Sequence, residues 1–173
     1  MNNDPDTAPL TDITLAKPAH AHLHELFMET ARSIHRYMPL QRAILVVARD
    51  HYRDLIAVAG WSLSDRSGGT RSLSLVVPTE NSLFAQVAAQ RFGFSDDYFG
   101  IFSGNSIERR LLIDSQTRSY VIWPLRVETS LVGLVGLSSE FPGAFTEIDA
   151  IDPERTLAPL TSEMAHLRAA HQL

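Results

Sequence analysis

The sequence predicts one α+β domain built on a mostly antiparallel sheet, and three observations carry that prediction. Strand-like runs follow one another across short polar breaks, with none of the long helical crossovers of a parallel sheet. Amphipathic helical patterns stand at the two ends of this order. The run LVGLVGL at residues 131–137 is apolar on both faces, so both sides of the sheet must be covered.

Composition narrows the class. A chain of 173 residues is long enough for one domain with a real core and short for two. An apolar fraction of 45% beside 20% charged residues is that of an ordinary globular protein. The net charge of −5, with no basic stripe, argues against a nucleic-acid surface. Lys17 is the sole lysine, so positive charge is nearly all arginine. The absence of cysteine removes disulfides, thiolate catalysis, cysteine-ligated metals and thioether-attached chromophores together. No apolar run approaches the ~20 residues that span a bilayer, and no signal-peptide pattern opens the chain. The expectation is a cytoplasmic protein without membrane contact, and the Met1 start favours a small free-standing chain.

Residues 1–18 are polar, proline-bearing and aperiodic, and read as a loosely attached tail before a single domain at 19–173. From 19 to 38, Leu23, Leu26, Phe27, Ala31, Ile34 and Met38 recur at helical spacing, and Pro39 ends the helix. His20 and His24 stand at i, i+4, a metal-ligand spacing. Without a carboxylate cluster nearby they read as solvated residues at a helix entrance. His35 and His51 are isolated and read as surface or satisfied groups. RAILVVAR (42–49) and LIAVAGW (55–61) form a strand pair across a polar turn, and 62–70 is a loop by composition. Leu73, Leu75 and Val77 mark a third strand, followed by a short capped helix at 83–91 whose apolar face holds Phe84, Val87 and Ala88. Residues 92–117 concentrate glycine, aromatic and small polar residues, with a helical turn or two at 107–113. So long and aromatic a segment reads as a lid over one sheet face. Residues 120–127 and 131–137, joined by Glu128-Thr129, form the central hairpin. By simple alternation Leu131, Val135 and Leu137 face one side and Val132 and Leu134 the other. Gly133 and Gly136 imply close approach of a backbone or ligand. Thr146 to Asp149 resembles a capping box. The last helix starts at Asp152-Pro153, or after Pro159 with Thr156 as its cap. Leu157, Leu160, Met164 and Leu167 step by 3, 4 and 3, the spacing of a coiled-coil seam.

The stretch SYVIWPLRVETSLVGLVGLSSEFPGAFTEID resembles the GAF family of small-molecule sensor domains, relatives of the PAS fold. Pro124-Leu125, Gly133, Phe145, Thr146 and Asp149 occupy the places of the family's loose pattern, and SLFAQVA (82–88) is similar to its short helix. The resemblance runs from about Leu23 to Leu167. It implies a central antiparallel sheet of five to six strands, with the terminal helices on one face and the lid and a ligand pocket on the other. It further implies a homodimer through the terminal helices, with Leu23, Phe27, Leu157, Leu160, Met164 and Leu167 at its interface. The asparagine-lysine-phenylalanine-aspartate-glutamate signature of cyclic-nucleotide-binding members is missing. Without cysteine there is neither covalent bilin attachment nor the chemistry of the GAF-type free methionine sulfoxide reductases.

Within that frame the expected ligand-binding set is Phe84, Tyr98, Phe99, Phe102, Ser103, Asn105, Arg109 and Trp123. The aromatic residues are placed to stack on a flat ligand, Ser103 and Asn105 to hydrogen-bond it, and Trp123 to floor the pocket. Arg109 or Arg110 offers a planar fork for a carboxylate or phosphate. No Gly-x-Ser-x-Gly elbow or phosphate loop is present, and Asp96-Asp97 reads as turn chemistry, so no catalytic residue is expected. The expected function is a non-catalytic sensory or regulatory domain that binds a small molecule of unknown identity and signals through its helices to a protein partner. The alternative is a dimerisation or docking module whose pocket its own side chains fill.

Overall fold

The structure, a computed structural model, describes residues 18–49, 53–64 and 71–173. The expected tail at 1–17, His51 and the 65–70 part of the expected loop lie outside the described residues. The elements run α1 (Pro18–His35), β1 (Arg42–Arg49), β2 (Asp54–Ser62), β3 (Arg71–Val77), α2 (Leu83–Ala88), β4 (Phe94–Asp97), α3 (Ser106–Leu112), β5 (Ser119–Val127), β6 (Ser130–Ser139) and α4 (Pro153–Ala169). A 3-10 turn at Ile148–Ile151 stands where the capping-box pattern was read.

Six strands form one sheet in the order β3-β2-β1-β6-β5-β4, every neighbouring pair antiparallel. The fold is α+β with helices on both faces. β1 and β6 are the inner strands, which is why AILVVA within β1 and LVGLVGL within β6 are apolar throughout. α1 and α4 cover one face through Leu23, Phe27, Ile34, Leu157, Leu160 and Met164, packed on Leu45, Val135 and Leu137. α2 and α3 cover the other, where Phe84, Val87, Leu111 and Leu112 pack on Val46, Ile122 and Leu134.

Two bulges decide which side chain faces which layer. One residue of β6 is skipped between Leu125↔Gly133 and Arg126↔Leu131, so Val132 is extra. Leu131 therefore joins Leu134 on the α2/α3 face, and Val132 joins Val135 on the α1/α4 face. That reverses the alternation read from the sequence at these two positions. In β2 the pairing steps from Leu45↔Ala59 to Val46↔Ala57, which turns Ala59 and Trp61 toward α1 and leaves Gly60 facing the other layer beside Ile44 and Leu73.

The two glycines of β6 are explained by close approach. A Cβ on Gly133 would lie 2.3 Å from the Met164 methyl carbon and 2.4 Å from the Val46 carbonyl oxygen; one on Gly136 would lie 3.0 Å from the Phe84 ring. α4 starts at Asp152, whose side chain accepts from the Arg155 N–H at 3.4 Å, with Pro153 in the first turn. Pro159 lies inside the continuous helix, which settles the two starts left open by the sequence.

Candidate functional site

The expected lid is more regular than its composition suggests. It contains β4, which extends the sheet beside β5, and α3, which crosses the α2/α3 face. FSDD at 94–97 escaped notice as a strand because serine and aspartate are poor strand formers and the segment shows no alternation of apolar residues.

A buried carboxylate organises this layer. Glu108 of α3 accepts hydrogen bonds from the Ser82 hydroxyl, from the N–H groups of Leu83 at 2.9 Å and Phe84 at 3.0 Å, and from Asn105 N–H at 3.1 Å. The Asn105 side chain in turn accepts from Glu108 N–H at 3.0 Å and donates to the Pro78 carbonyl at 2.8 Å. One carboxylate thus closes the capping box of α3 and satisfies the first N–H groups of α2, locking the two short helices together. Asn105 is a structural cap, which accounts for its place in the sequence pattern.

The expected ligand-binding residues do not converge on one pocket. Phe84 is fully buried under α2, and Tyr120 and Phe102 pack edge to face at 5.2 Å beside it. Tyr98 is buried, and its phenol accepts from Arg109 Nη2 at 3.1 Å. Ser103 hydrogen-bonds the Tyr120 hydroxyl; burial pushes that phenol up, with Asp96 adding to the shift. Phe99 is 84% exposed and touches none of this. Trp123 does not lie under the lid. It packs with Val121 and Leu125 on the α1/α4 face, because alternation along β5 puts Tyr120 and Ile122 on the lid side. The aromatic residues chosen to hold a ligand largely fill the layer themselves.

The interface residues are also placed inward. Leu23, Phe27, Leu157, Leu160, Met164 and Leu167 are 0–4% exposed within one chain, where α1 and α4 pack on the sheet and on each other. A 3-4 spacing marks an apolar stripe but not what covers it, and here the sheet does.

Among the described residues three clefts stand out. One, about 770 Å³, lies on the α1/α4 side between the β5–β6 hairpin, Phe92 and the first half of α4, with Trp123 in its wall. Its charges are of both signs (Arg91, Glu128, Glu154), and Arg126 is engaged with the carbonyls of Ala88, Gln90 and Thr129. A second, about 200 Å³, lies beside Asp96 and Asp97. Both residues lie in β4 rather than in a turn; Asp97 accepts from the N–H of the distant Gly143 at 2.7 Å and Asp96 from Asp97 N–H at 2.8 Å.

The third cleft, about 360 Å³, has the most directed chemistry. It opens on the α2/α3 face at the β1–β2–β3 side, floored by Ile44, Leu73 and Leu111 and rimmed by Arg42, Arg71, Arg110, Ser62 and Ser64. Three guanidinium groups line it among the described residues. Register explains the convergence. Arg71 pairs with Gly60, Gly60 with Ile44, and Arg42 lies two residues from Ile44 on the same face. Gly60 keeps the floor open, since a side chain there would rise between Ile44 and Leu73, both 3.4 Å from its Cβ. Of the two candidate arginines of α3, Arg110 reaches this rim and Arg109 turns to Tyr98. Arg42 donates to the Arg110 carbonyl at 3.3 Å and stands 3.5 Å from an Asp114 carboxylate oxygen. Asp114 itself accepts from Gln41 at 2.8 and 3.0 Å, from Gln116 N–H at 2.8 Å and from Thr117 N–H at 3.1 Å. Sequence reading missed Arg42, Arg71 and Gly60, because only strand register brings them together.

Comparison with known proteins agrees with this architecture. The GAF domain family model matches residues 22–162, and the chain belongs to that family. The fold is similar to the GAF domain of a two-component sensor histidine kinase from Bacillus halodurans, at a TM-score of 0.66 and 13% identity over 86% of this chain and 97% of that one. It is also similar to a GAF domain/HD domain protein from Geobacter sulfurreducens, at 0.65 and 11% over 88% and 99%. Free methionine-R-sulfoxide reductase from Neisseria meningitidis, in complex with its substrate, aligns at 0.59 and 15% over 88% and 84%. No curated protein matches the sequence. Among the described residues no helix is long and apolar enough to cross a membrane.

Proposed function

We propose that this chain is a non-catalytic sensory or regulatory GAF domain that binds a small molecule in the arginine-rimmed groove between β1, β2, β3 and α3. The observation that carries this reading is the groove itself. It combines an apolar floor, an opening left by Gly60 and three guanidinium groups in about 360 Å³, the scale of a small-ligand site. The proposal includes a homodimer as the signalling unit and a protein partner for its output. With the seam buried, pairing uses the outward faces of α1 and α4, where Ala158 and Ala169 are exposed. A panel of small metabolites in a thermal-shift assay tests the reading. A stabilising compound is expected whose effect disappears in Gly60→Leu, which fills the groove, and weakens in Gly60→Ala. Full retention in a folded Gly60→Leu places the site elsewhere.

The alternative, a docking module without a ligand, is favoured by one observation, the self-filled aromatic layer under α2 and α3. A panel without a single hit, together with partner binding that survives Gly60→Leu, supports it.

A further inference from the structure

We infer that the chain carries a second ligand site on the opposite face of the sheet. The cleft between the β5–β6 hairpin and the first half of α4 takes a flat aromatic molecule without net charge, stacked on Trp123 and Phe92.

The cleft exists because the sheet is uneven along β5. β4 pairs only with residues 119–122, so from Trp123 to Val127 no described strand covers the outer side of β5. The α2–β4 connection passes there instead and brings Phe92, while α4 brings Leu157 and Thr161. The space left among them, about 770 Å³, is of small-ligand size.

Its chemistry is aromatic. Trp123 is only partly buried, and its ring is fixed by the backbone beside it. A side chain at Gly93 would come within 2.4 Å of Trp123 Cε3 and 2.9 Å of the Ile122 carbonyl oxygen, so the indole rests against bare main chain. Phe92 lines the same cleft and is 70% exposed, a large ring left in water. The Arg91 guanidinium lies over one face of that ring at 5.9 Å, which leaves the other face for a ligand. Among the described residues the Phe92 and Trp123 rings make no contact with each other. A planar ring system entering the cleft stacks where they are left open, and Pro124, Leu125 and Leu157 complete its apolar surroundings.

Charge does not select the ligand. The Arg126 guanidinium is taken up by the carbonyls of Ala88, Gln90 and Thr129. Arg91, Glu128 and Glu154 are exposed, and charges of opposite sign on a wet rim are screened and largely cancel. The site is independent of the groove, with which it shares no lining residue.

The test titrates the isotope-labelled full chain with naphthol, its saturated and puckered counterpart decalol, naphthoate and naphthylmethylammonium. The chain has two tryptophans, hence two indole N–H signals in the NMR spectrum, assigned with Trp61→Phe or Trp123→Phe. Naphthol is expected to shift the Trp123 signal saturably, to leave that of Trp61 in place, and to bind at least about fivefold more tightly than decalol. Neither charged probe is expected to bind more tightly than naphthol. Phe92→Ala, at an exposed position, is expected to weaken naphthol about fivefold and decalol less. Thr161→Phe, which fills the cleft from α4, is expected to abolish the shift, and Gly60→Leu to leave it unchanged. Decalol binding as tightly as naphthol overturns the aromatic class, and a charged probe binding about tenfold more tightly overturns the absence of charge selection. No saturable shift of the Trp123 signal overturns the site. A shift that persists in a folded Thr161→Phe, or that vanishes in Gly60→Leu, places the compound elsewhere and overturns it too. None of these outcomes bears on the groove, whose own test is the metabolite panel with Gly60→Leu.

Discussion

Glu108 shows how much one side chain decides. Its carboxylate is fully buried and accepts from a hydroxyl and three main-chain N–H groups belonging to two helices, each too short to be stable alone. Glu108→Ala leaves those donors buried and unmatched, and is expected to cost about 3 kcal/mol or more, read as a lowered denaturation midpoint with an unchanged slope. Asp114 gives the second prediction at this scale. Partial burial works against its charged form, but hydrogen bonds from Gln116 N–H, Gln41 and Thr117, with the Arg42 charge, outweigh it and hold the carboxyl below its ordinary range. A folded-state depression contributes stability above the ordinary range and loses it as pH falls from that range down through the depressed folded value. Asp114→Asn is therefore expected to be less stable than the parent at pH 7 and to converge with it below about pH 4 in paired thermal melts. The sequence showed the capping pattern of Asn105 and Glu108 only as small polar residues in a lid. The part of Glu108 that reaches α2 spans 25 residues and has no local signature.

At the scale of elements, the strands on the apolar runs were legible and their facing was not. β1 was read at its observed ends, and β2, β3, β5 and β6 within two residues, because period-two and all-apolar runs are direct records of burial. A single extra residue at Val132 was enough to exchange the sides of Leu131 and Val132, and nothing in LVGLVGL marks it. The glycines do mark something real. Gly133→Ala places a Cβ against the Val46 carbonyl, which cannot move aside as a side chain can, and is expected to destabilise by about 1–3 kcal/mol in chemical denaturation. An unchanged midpoint means that α4 and β1 shift apart freely, contrary to the packing described here.

For the whole molecule, the consequence of the buried seam is sharp. Leu160 is fully buried between α4 and the sheet. Leu160→Glu is expected to unfold the chain, by an unpaired charge in the core, rather than to release a folded monomer. Circular dichroism with size-exclusion chromatography distinguishes the two, and a folded, monomeric variant sinks the intrachain reading of the seam. The groove makes the complementary point. Its three arginines lie on β1, β3 and α3, and its open floor on β2, so no contiguous stretch of sequence contains it.

Local chemistry was therefore determined by the sequence alone: the α+β class, the strand runs, both terminal helices and the family. These follow from periodicity, turn residues and absent cysteine, all of which act over a few residues. The tertiary structure decided what each apolar stripe covers, on which side of the sheet Trp123 stands, and which arginines meet. Those depend on strand register and bulges, and on contacts between residues far apart in the chain, where a one-residue slip reverses every face.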